Sequence, residues 1–419
     1  MSKWKIYTPE GVQDILFDDC FLKRSLEYKI REQFRLWGYY EVESPTIEFY
    51  DAFSVDSDSA PQETLFKFFD QNGRILVLRP DLTIPIARIA ATKYRDSEQP
   101  LKFCYIGNAY KYNELGGGKQ KEYTQAGVEL LGVSTPEADA EVIAAAINAV
   151  KSAGLENFQI DIGQVEFFKG LMEETGLSEE DTEQMRLLID SKDFLGIEEL
   201  VEAYCIRKDL KELILSLPGM FGSIDVIDRV EKITTNSRSL DALKNLREVL
   251  QILEDYGFGK YISVDLGMVQ SLNYYTGIIF RGFTYGIGFP IVSGGRYDNL
   301  VEKFGKSLPA TGFSLGINMI MTALRRQKVE EGKPSVDTLI TYKAEGRKTA
   351  FEIGRELRKQ GTSVEMDIKN EGLEAVRAYA KAKGIGGILY LLDSERIEVH
   401  NLETGEVTAT TVGTLVGVN

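Results

Sequence analysis

Residues Phe103–Gly132 read FCYIGNAYKYNELGGGKQKEYTQAGVELLG. Two apolar, β-rich runs, Phe103–Tyr112 and Tyr123–Leu131, flank the polar loop Asn113–Glu122, whose centre is Gly116-Gly117-Gly118. Strand-forming runs on either side of a glycine-rich polar segment predict a long antiparallel hairpin. On its own such a hairpin is a surface feature with a flexible tip, so its meaning depends on the rest of the chain.

Composition bounds that meaning. A chain of 419 residues, 43% of them hydrophobic, is long enough for two or three domains with sizeable cores. The formal net charge of −15 leaves no overall electrostatic footprint for nucleic acid or an anionic membrane. Cys20, Cys104 and Cys205 are too scattered for a zinc site, and an odd set of three does not suggest a disulfide framework. Met1–Ile15 has no apolar signal core and no apolar run approaches the length of a membrane span, so a cytoplasmic location is expected. His400 is the only histidine, which excludes histidine-based triads and multi-histidine metal sites within one chain. We expect neither a metal nor a cofactor.

Four further segments accompany the hairpin in a definite order. Gly38–Phe53 (GYYEVESPTIEFYDAF) and Leu78–Arg88 (LRPDLTIPIAR) precede it; Leu266–Phe280 (LGMVQSLNYYTGIIF) and Ser293–Ile320 (SGGRYDNLVEKFGKSLPATGFSLGINMI) follow. This succession resembles the signatures of class II histidyl-tRNA synthetase over roughly residues 5–325. The resemblance implies an α+β fold: a synthetase-like core whose central antiparallel sheet is flanked by helices. It also implies that the first segment is a helix leading into a strand that carries Pro45 at a homodimer interface, and that the hairpin is the second class II motif.

The departures from that family bear on catalysis. Adenylate formation needs stabilising charge around a phosphate, and arginine supplies it as a permanently charged bidentate fork. Where the second motif has Phe-Arg-x-Glu, this chain has Tyr110-Lys111-Tyr112-Asn113. Where the histidine-specific signature has Arg-Gly-Leu-Asp-Tyr-Tyr, it has Gln270-Ser271-Leu272-Asn273-Tyr274-Tyr275, and the Gly-Leu-Glu-Arg of the third motif becomes Gly316-Ile317-Asn318-Met319. Three arginines are missing together, and losing one transition-state donor costs about two to three orders of magnitude in rate. No catalytic residue is therefore assigned.

The amino-acid pocket of the resembled family has residues of suitable chemistry at its positions. By the resemblance, Glu129 and Tyr275, with Tyr274 beside it, face an imidazole, while Asp81, Thr83 and Gln125 hold an α-ammonium; Asp81 stands where the synthetase has glutamate, one methylene shorter. The usual arginine for the α-carboxylate is Gln270, so Lys111 or Gln270 is expected to take that group. Against this stands a purely structural reading, in which the carboxylates are hydrogen-bond anchors and the two tyrosines ordinary strand residues.

Arg79-Pro80-Asp81 followed by Ile86-Ala87-Arg88, together with Tyr123-Thr124-Gln125-Ala126-Gly127-Val128-Glu129, is more similar to a second family, the regulatory subunits of ATP phosphoribosyltransferase. That resemblance implies a non-catalytic protein which activates a short-form catalytic subunit at the first step of histidine biosynthesis. It also implies feedback by free histidine and a homodimer within a hetero-oligomer; the acidic charge balance adds the expectation that neither tRNA nor membrane is bound. The alternatives are a divergent histidyl-tRNA synthetase and a free-standing histidine-binding protein.

The rest of the chain is organised around this core, taken as residues 1–325. Thr135-Pro136-Glu137 starts a helix running to Gly154, with Glu137, Asp139 and Glu141 placed to favour the positive end of its dipole. Phe158–Ile162 returns to strand, and about 165–255 is a mostly helical, charged insertion. Gly282–Gly295 lacks a phosphate-loop pattern and is read as central strands whose glycines allow close approach to the backbone. Arg325–Ser335 is a predicted linker. Beyond it, 336–419 alternates strand and helix, with Gly361 and Gly384 as helix stops, and resembles an anticodon-binding domain. Its 11 Lys+Arg against 13 Asp+Glu give no basic RNA-reading face.

Overall fold

The computed structural model describes residues 3–54, 61–98, 100–112, 120–269, 274–329 and 332–416. The chain divides into two compact units, Met1–Glu331 and Gly332–Asn419.

The first unit contains strands β1 (Tyr40–Glu41), β2 (Ile47–Phe49), β3 (Lys67–Phe69), β4 (Ile75–Leu78), β5 (Leu101–Tyr110), β6 (Glu122–Leu131), β7 (Phe158–Gln164), β8 (Phe221–Gly222), β9 (Ile262–Asp265), β10 (Ile278–Thr284), β11 (Val292–Arg296) and β12 (Ala310–Gly316). Nine of them form one sheet in the order β1-β5-β6-β12-β11-β10-β7-β9-β8, while β2, β4 and β3 make a small separate sheet. The pairs β1–β5 and β7–β9 are parallel; the intervening centre is antiparallel. The expected hairpin is β5–β6, with Phe103 opposite Glu129 and Gly107 opposite Gln125.

Alternation along β6 assigns the two faces of the sheet. Ala126, Val128 and Leu130 join the core built with helices Phe17–Leu36, Pro136–Ser152 and Ser237–Asp255. The helix Pro136–Ser152 is alanine-rich on its buried side, which lets it pack without long side chains intervening. Leu131 of β6, with Phe103 and Tyr105 of β5, joins a second core on the opposite face, built with helix Thr83–Lys93 and with Tyr297 and Leu300.

Three local expectations are refined. Pro45 lies in the irregular link between β1 and β2 rather than within a strand, as befits a residue with no N–H for a ladder. Pro136 opens its helix with Glu137 and Asp139 in the first turn, and Asp139 is in addition buried, its carboxylate meeting the Arg296 guanidinium at 3.0 and 3.1 Å. Gly282–Gly295 spans the end of β10, a turn and most of β11, both central strands. The insertion is helical except for β8, which pairs with β9 at the edge of the sheet.

The second unit is a five-stranded sheet of order β14-β13-β15-β16-β17, from β13 (Thr338–Tyr342), β14 (Val364–Met366), β15 (Gly387–Leu391), β16 (Arg396–Asn401) and β17 (Val407–Thr411). The first three strands are parallel and connected through helices Arg347–Lys359 and Leu373–Lys383. Gly361 and Gly384 adopt φ of +87° and +68°, the left-handed geometry that ends a helix. His400 is buried, with Nδ1 accepting a hydrogen bond from Arg377 at 2.8 Å.

Candidate functional site

On the second-core face of the sheet a group of polar side chains surrounds Glu129, which is only 1% exposed. Tyr105, from β5, donates its hydroxyl to Oε1 of Glu129 at 3.2 Å. Tyr297, immediately after β11, donates to Oε2. Thr83, at the start of its helix, also hydrogen-bonds Glu129, and the charge of Asp81 is felt there. The backbone of β12 comes close because residue 312 is glycine: a Cβ at Gly312 would lie 1.8 Å from Glu129 Oε2 and 2.5 Å from the Val128 carbonyl oxygen. Among the described residues no lysine, arginine or histidine forms an ion pair with Glu129. Burial without a countercharge pushes its carboxyl up to about 8, although the hydroxyl donors oppose the shift.

The loop leading into helix Thr83–Lys93 is pinned on both sides. Arg79 is buried, donating from Nε to the Asn108 carbonyl at 2.9 Å and from Nη1 to Ser44 Oγ at 3.0 Å. Tyr123 donates its hydroxyl to the Pro80 carbonyl at 2.7 Å. Asp81 Oδ1 then accepts the Ile84 N–H at 3.1 Å, closing the first helical turn. Gln125 contributes a buried side-chain oxygen that has no hydrogen-bond partner among the described residues. Tyr275 lies close enough to Glu129 and Asp81 for both charges to act on it, and burial raises its phenol to about 12. Tyr274 packs edge-on against Tyr275 and stacks on Tyr297 with ring centroids 5.5 Å apart.

Of the residues chosen from sequence, then, Asp81, Thr83, Glu129, Tyr274 and Tyr275 converge on one cluster, and Gln125 is on the same face of β6 as Glu129. Gln270 lies outside the described residues, as do Ser271, Leu272, Asn273, Asn113 and the three loop glycines. Lys111 does not join the Glu129 cluster: it lines a neighbouring cleft of about 540 Å³. Tyr105, Tyr123 and Tyr297 were missed. The signal for Tyr105 was available, since a tyrosine inside an apolar strand needs a partner for its hydroxyl and Glu129 is on the adjoining strand.

The cleft has a different chemistry. Its walls include Tyr123, Ile287, Phe289, Asn318 and Met319. Asn318 is turned to structural use, accepting the Thr124 N–H at 2.9 Å and donating to Gln120 at 2.6 Å. The two arginines at the cleft are engaged by the protein: Arg325 pairs with Asp19, and Arg326 donates to the Gly286 carbonyl. A phosphate-handling site needs guanidinium donors aimed at the ligand, and these two are committed elsewhere.

A family model described as histidyl-tRNA synthetase matches residues 11–320. A relative from Acetivibrio thermocellus, an ATP phosphoribosyltransferase regulatory subunit, is 71% identical over 416 residues, covering 99% of this chain and 100% of its own. The chain belongs to the ATP phosphoribosyltransferase regulatory subunit family. Another member of that family, from Ruminiclostridium cellulolyticum, is 55% identical, with 99% of each chain covered. A crystal structure of an ATP phosphoribosyltransferase regulatory subunit/histidyl-tRNA synthetase from Bacillus halodurans C superposes with a TM-score of 0.83 at 32% identity, covering 94% of this chain and 99% of that one. A histidyl-tRNA synthetase from Nostoc sp. PCC 7120 shares the fold at a TM-score of 0.84 and 20% identity, covering 98% of this chain and 97% of that one. Membership in the regulatory subunit family makes the chain a non-catalytic subunit of ATP phosphoribosyltransferase on a histidyl-tRNA synthetase-like fold. Among the described residues, no helix is long and apolar enough to cross a membrane.

Proposed function

We propose that this subunit activates a short-form ATP phosphoribosyltransferase catalytic subunit and conveys feedback by histidine, which binds in the Glu129 cluster. The observation that carries this reading is a fully buried carboxyl surrounded by hydroxyl groups and lacking a countercharge among the described residues. Burying a carboxyl in this way is unfavourable unless a ligand completes the site. An imidazole offers ring nitrogens to Glu129 and Tyr275, and an α-ammonium three donors to Asp81, Thr83 and the unpartnered Gln125 oxygen. Lys111 and Gln270 are the proposed partners of the α-carboxylate. The adjoining cleft, whose arginines are already engaged, argues against adenylate chemistry beside the bound amino acid. The assembly is a hetero-oligomer built on a homodimer of this chain, located in the cytoplasm and binding neither tRNA nor membrane. Residues 1–325 supply the binding core and 336–419 an assembly domain.

Reconstitution tests the reading. The full chain is mixed with the short-form catalytic subunit, and phosphoribosyltransferase activity is followed while histidine is titrated. Activation by the wild-type chain, histidine inhibition, and loss of inhibition but not of activation in Glu129→Gln are expected. Unaltered inhibition in that variant would place the effector elsewhere, and robust histidine-dependent ATP–pyrophosphate exchange by the chain alone would overturn the non-catalytic assignment.

A further inference from the structure

The surroundings of Glu129 constrain the protonation state of whatever binds there. Tyr105 on β5 and Tyr297 after β11 address its two oxygens, Thr83 hydrogen-bonds it from the helix start, and Tyr275, with Tyr274 edge-on against it, is near enough to feel its charge. Among the described residues, the charged groups in range are Asp81, an anion, and Arg281 on β10, which acts on Tyr275; Tyr39 is near enough to feel Glu129 as well. Among the described residues, all the hydrogen-bonding side chains on Glu129 are neutral hydroxyls. A carboxylate and a neutral imidazole placed there would leave an uncompensated buried anion, whereas a carboxylic acid and an imidazolium would leave an uncompensated buried cation.

Resting on the histidine reading above, we infer that the pocket closes on its ligand with a single proton between the imidazole ring and the Glu129 carboxyl, so that Glu129 selects the ring by its ability to share that proton. In the empty protein the proton is on Glu129, and on binding it lies in the hydrogen bond to the ring nitrogen. No other proton moves.

Linkage then gives binding a pH window. Free imidazole gains its own proton below about 6.5, while Glu129 in the empty pocket loses its proton above about 8. Between these values the separate partners already hold one proton, and binding exchanges none with solvent. Below the window they hold two and one must be released; above it they hold none and one must be taken up. Affinity falls on both sides, approaching about tenfold per pH unit.

The test is titration calorimetry of the full chain with histidine from pH 5.5 to 9, in buffers of differing ionisation enthalpy. It is repeated with 1,2,4-triazole-3-alanine, whose ring stays neutral across this range. Histidine is expected to bind most tightly within the window, with proton release below it and uptake above. The triazole analogue should lose the acid limb. In Glu129→Gln the proton uptake assigned to the carboxyl should vanish; the ligand ammonium titrates alike with both proteins and cancels in the comparison. Histidine binding with flat pH dependence, or with proton transfers unchanged in Glu129→Gln, overturns this inference and leaves the histidine reading standing. An absence of histidine binding at every pH overturns both. Should the variant fail to fold, the loss of the acid limb with the analogue decides alone.

Discussion

The β5–β6 hairpin separates two unlike polar environments. At the Glu129 end, tyrosines from β5 and from the segment after β11 converge on one buried carboxyl. At the Lys111 end the cleft is faced by Met319 and Phe289, and its arginines hold Asp19 and a backbone carbonyl. The difference follows from what each task requires. Holding a small imidazole ring needs a few fixed groups in a dry environment, whereas stabilising a reacting phosphate needs several permanent charges aimed at one point. The phosphate task is lost when those charges are replaced, whereas the residues around Glu129 are also tied into the core.

The strongest attack on this comparison is Glu129→Gln. Removing one partner of a buried, hydrogen-bonded charge pair costs about 2–5 kcal/mol in binding, so histidine affinity should fall by about 30-fold or more by calorimetry. A loss below threefold would put the ligand outside this cluster. The same variant probes the empty protein. Folding raises the Glu129 carboxyl from 4.5 to about 8. The folded chain therefore keeps a proton that the unfolded chain has lost: Glu129's contribution is fully present below pH 4.5 and declines as pH rises toward 8. Relative to Glu129→Gln, wild-type stability should decline by up to about 1.4 kcal/mol per pH unit through that interval. Denaturant unfolding at several pH values measures it, and parallel curves would mean that the carboxyl is not desolvated as described.

Much of this arrangement was legible in sequence, and the misses share a physical cause. The hairpin, the helix from Pro136 and the alternating second unit were visible because each pairs a strong period with a punctuating residue such as Gly154 or Gly384. Asp139 does stand in the first turn of its helix, but its pairing with Arg296 was not legible, because that partner is 157 positions away. Tyr297 was missed for the same reason: its link to Glu129 spans 168 positions. The convergence of Asp81, Thr83, Glu129 and Tyr275 was reached through resemblance to a family, since no periodic rule brings three separate segments together.

Tyr123 sharpens the boundary between the two regions, because it lines the cleft and also holds the Pro80 carbonyl of the Asp81 loop. Tyr123→Phe removes a single hydrogen bond, worth about 0.5–1.5 kcal/mol. Histidine affinity should fall two- to tenfold if that bond fixes the acceptor for the ammonium, with the apolar packing of the ring retained. Equal affinity in the two proteins would show that Asp81 is positioned by its own helix turn instead.

The smallest effect belongs to Lys111, the residue whose assignment depends most directly on where the two regions meet. It lies along the cleft and is partly exposed, so any contact with the ligand carboxylate is made in a solvated rim. Pairs of that kind contribute about 0.2–1 kcal/mol and weaken with salt. Lys111→Ala should therefore lower histidine affinity by up to about fivefold at low ionic strength, and by less in high salt. The same change should leave histamine, which lacks the carboxylate, unaffected. An equal loss for both ligands would mean that Lys111 acts by shaping the hairpin. No loss for either would pass the carboxylate to Gln270, whose substitution by alanine would then have to weaken histidine alone.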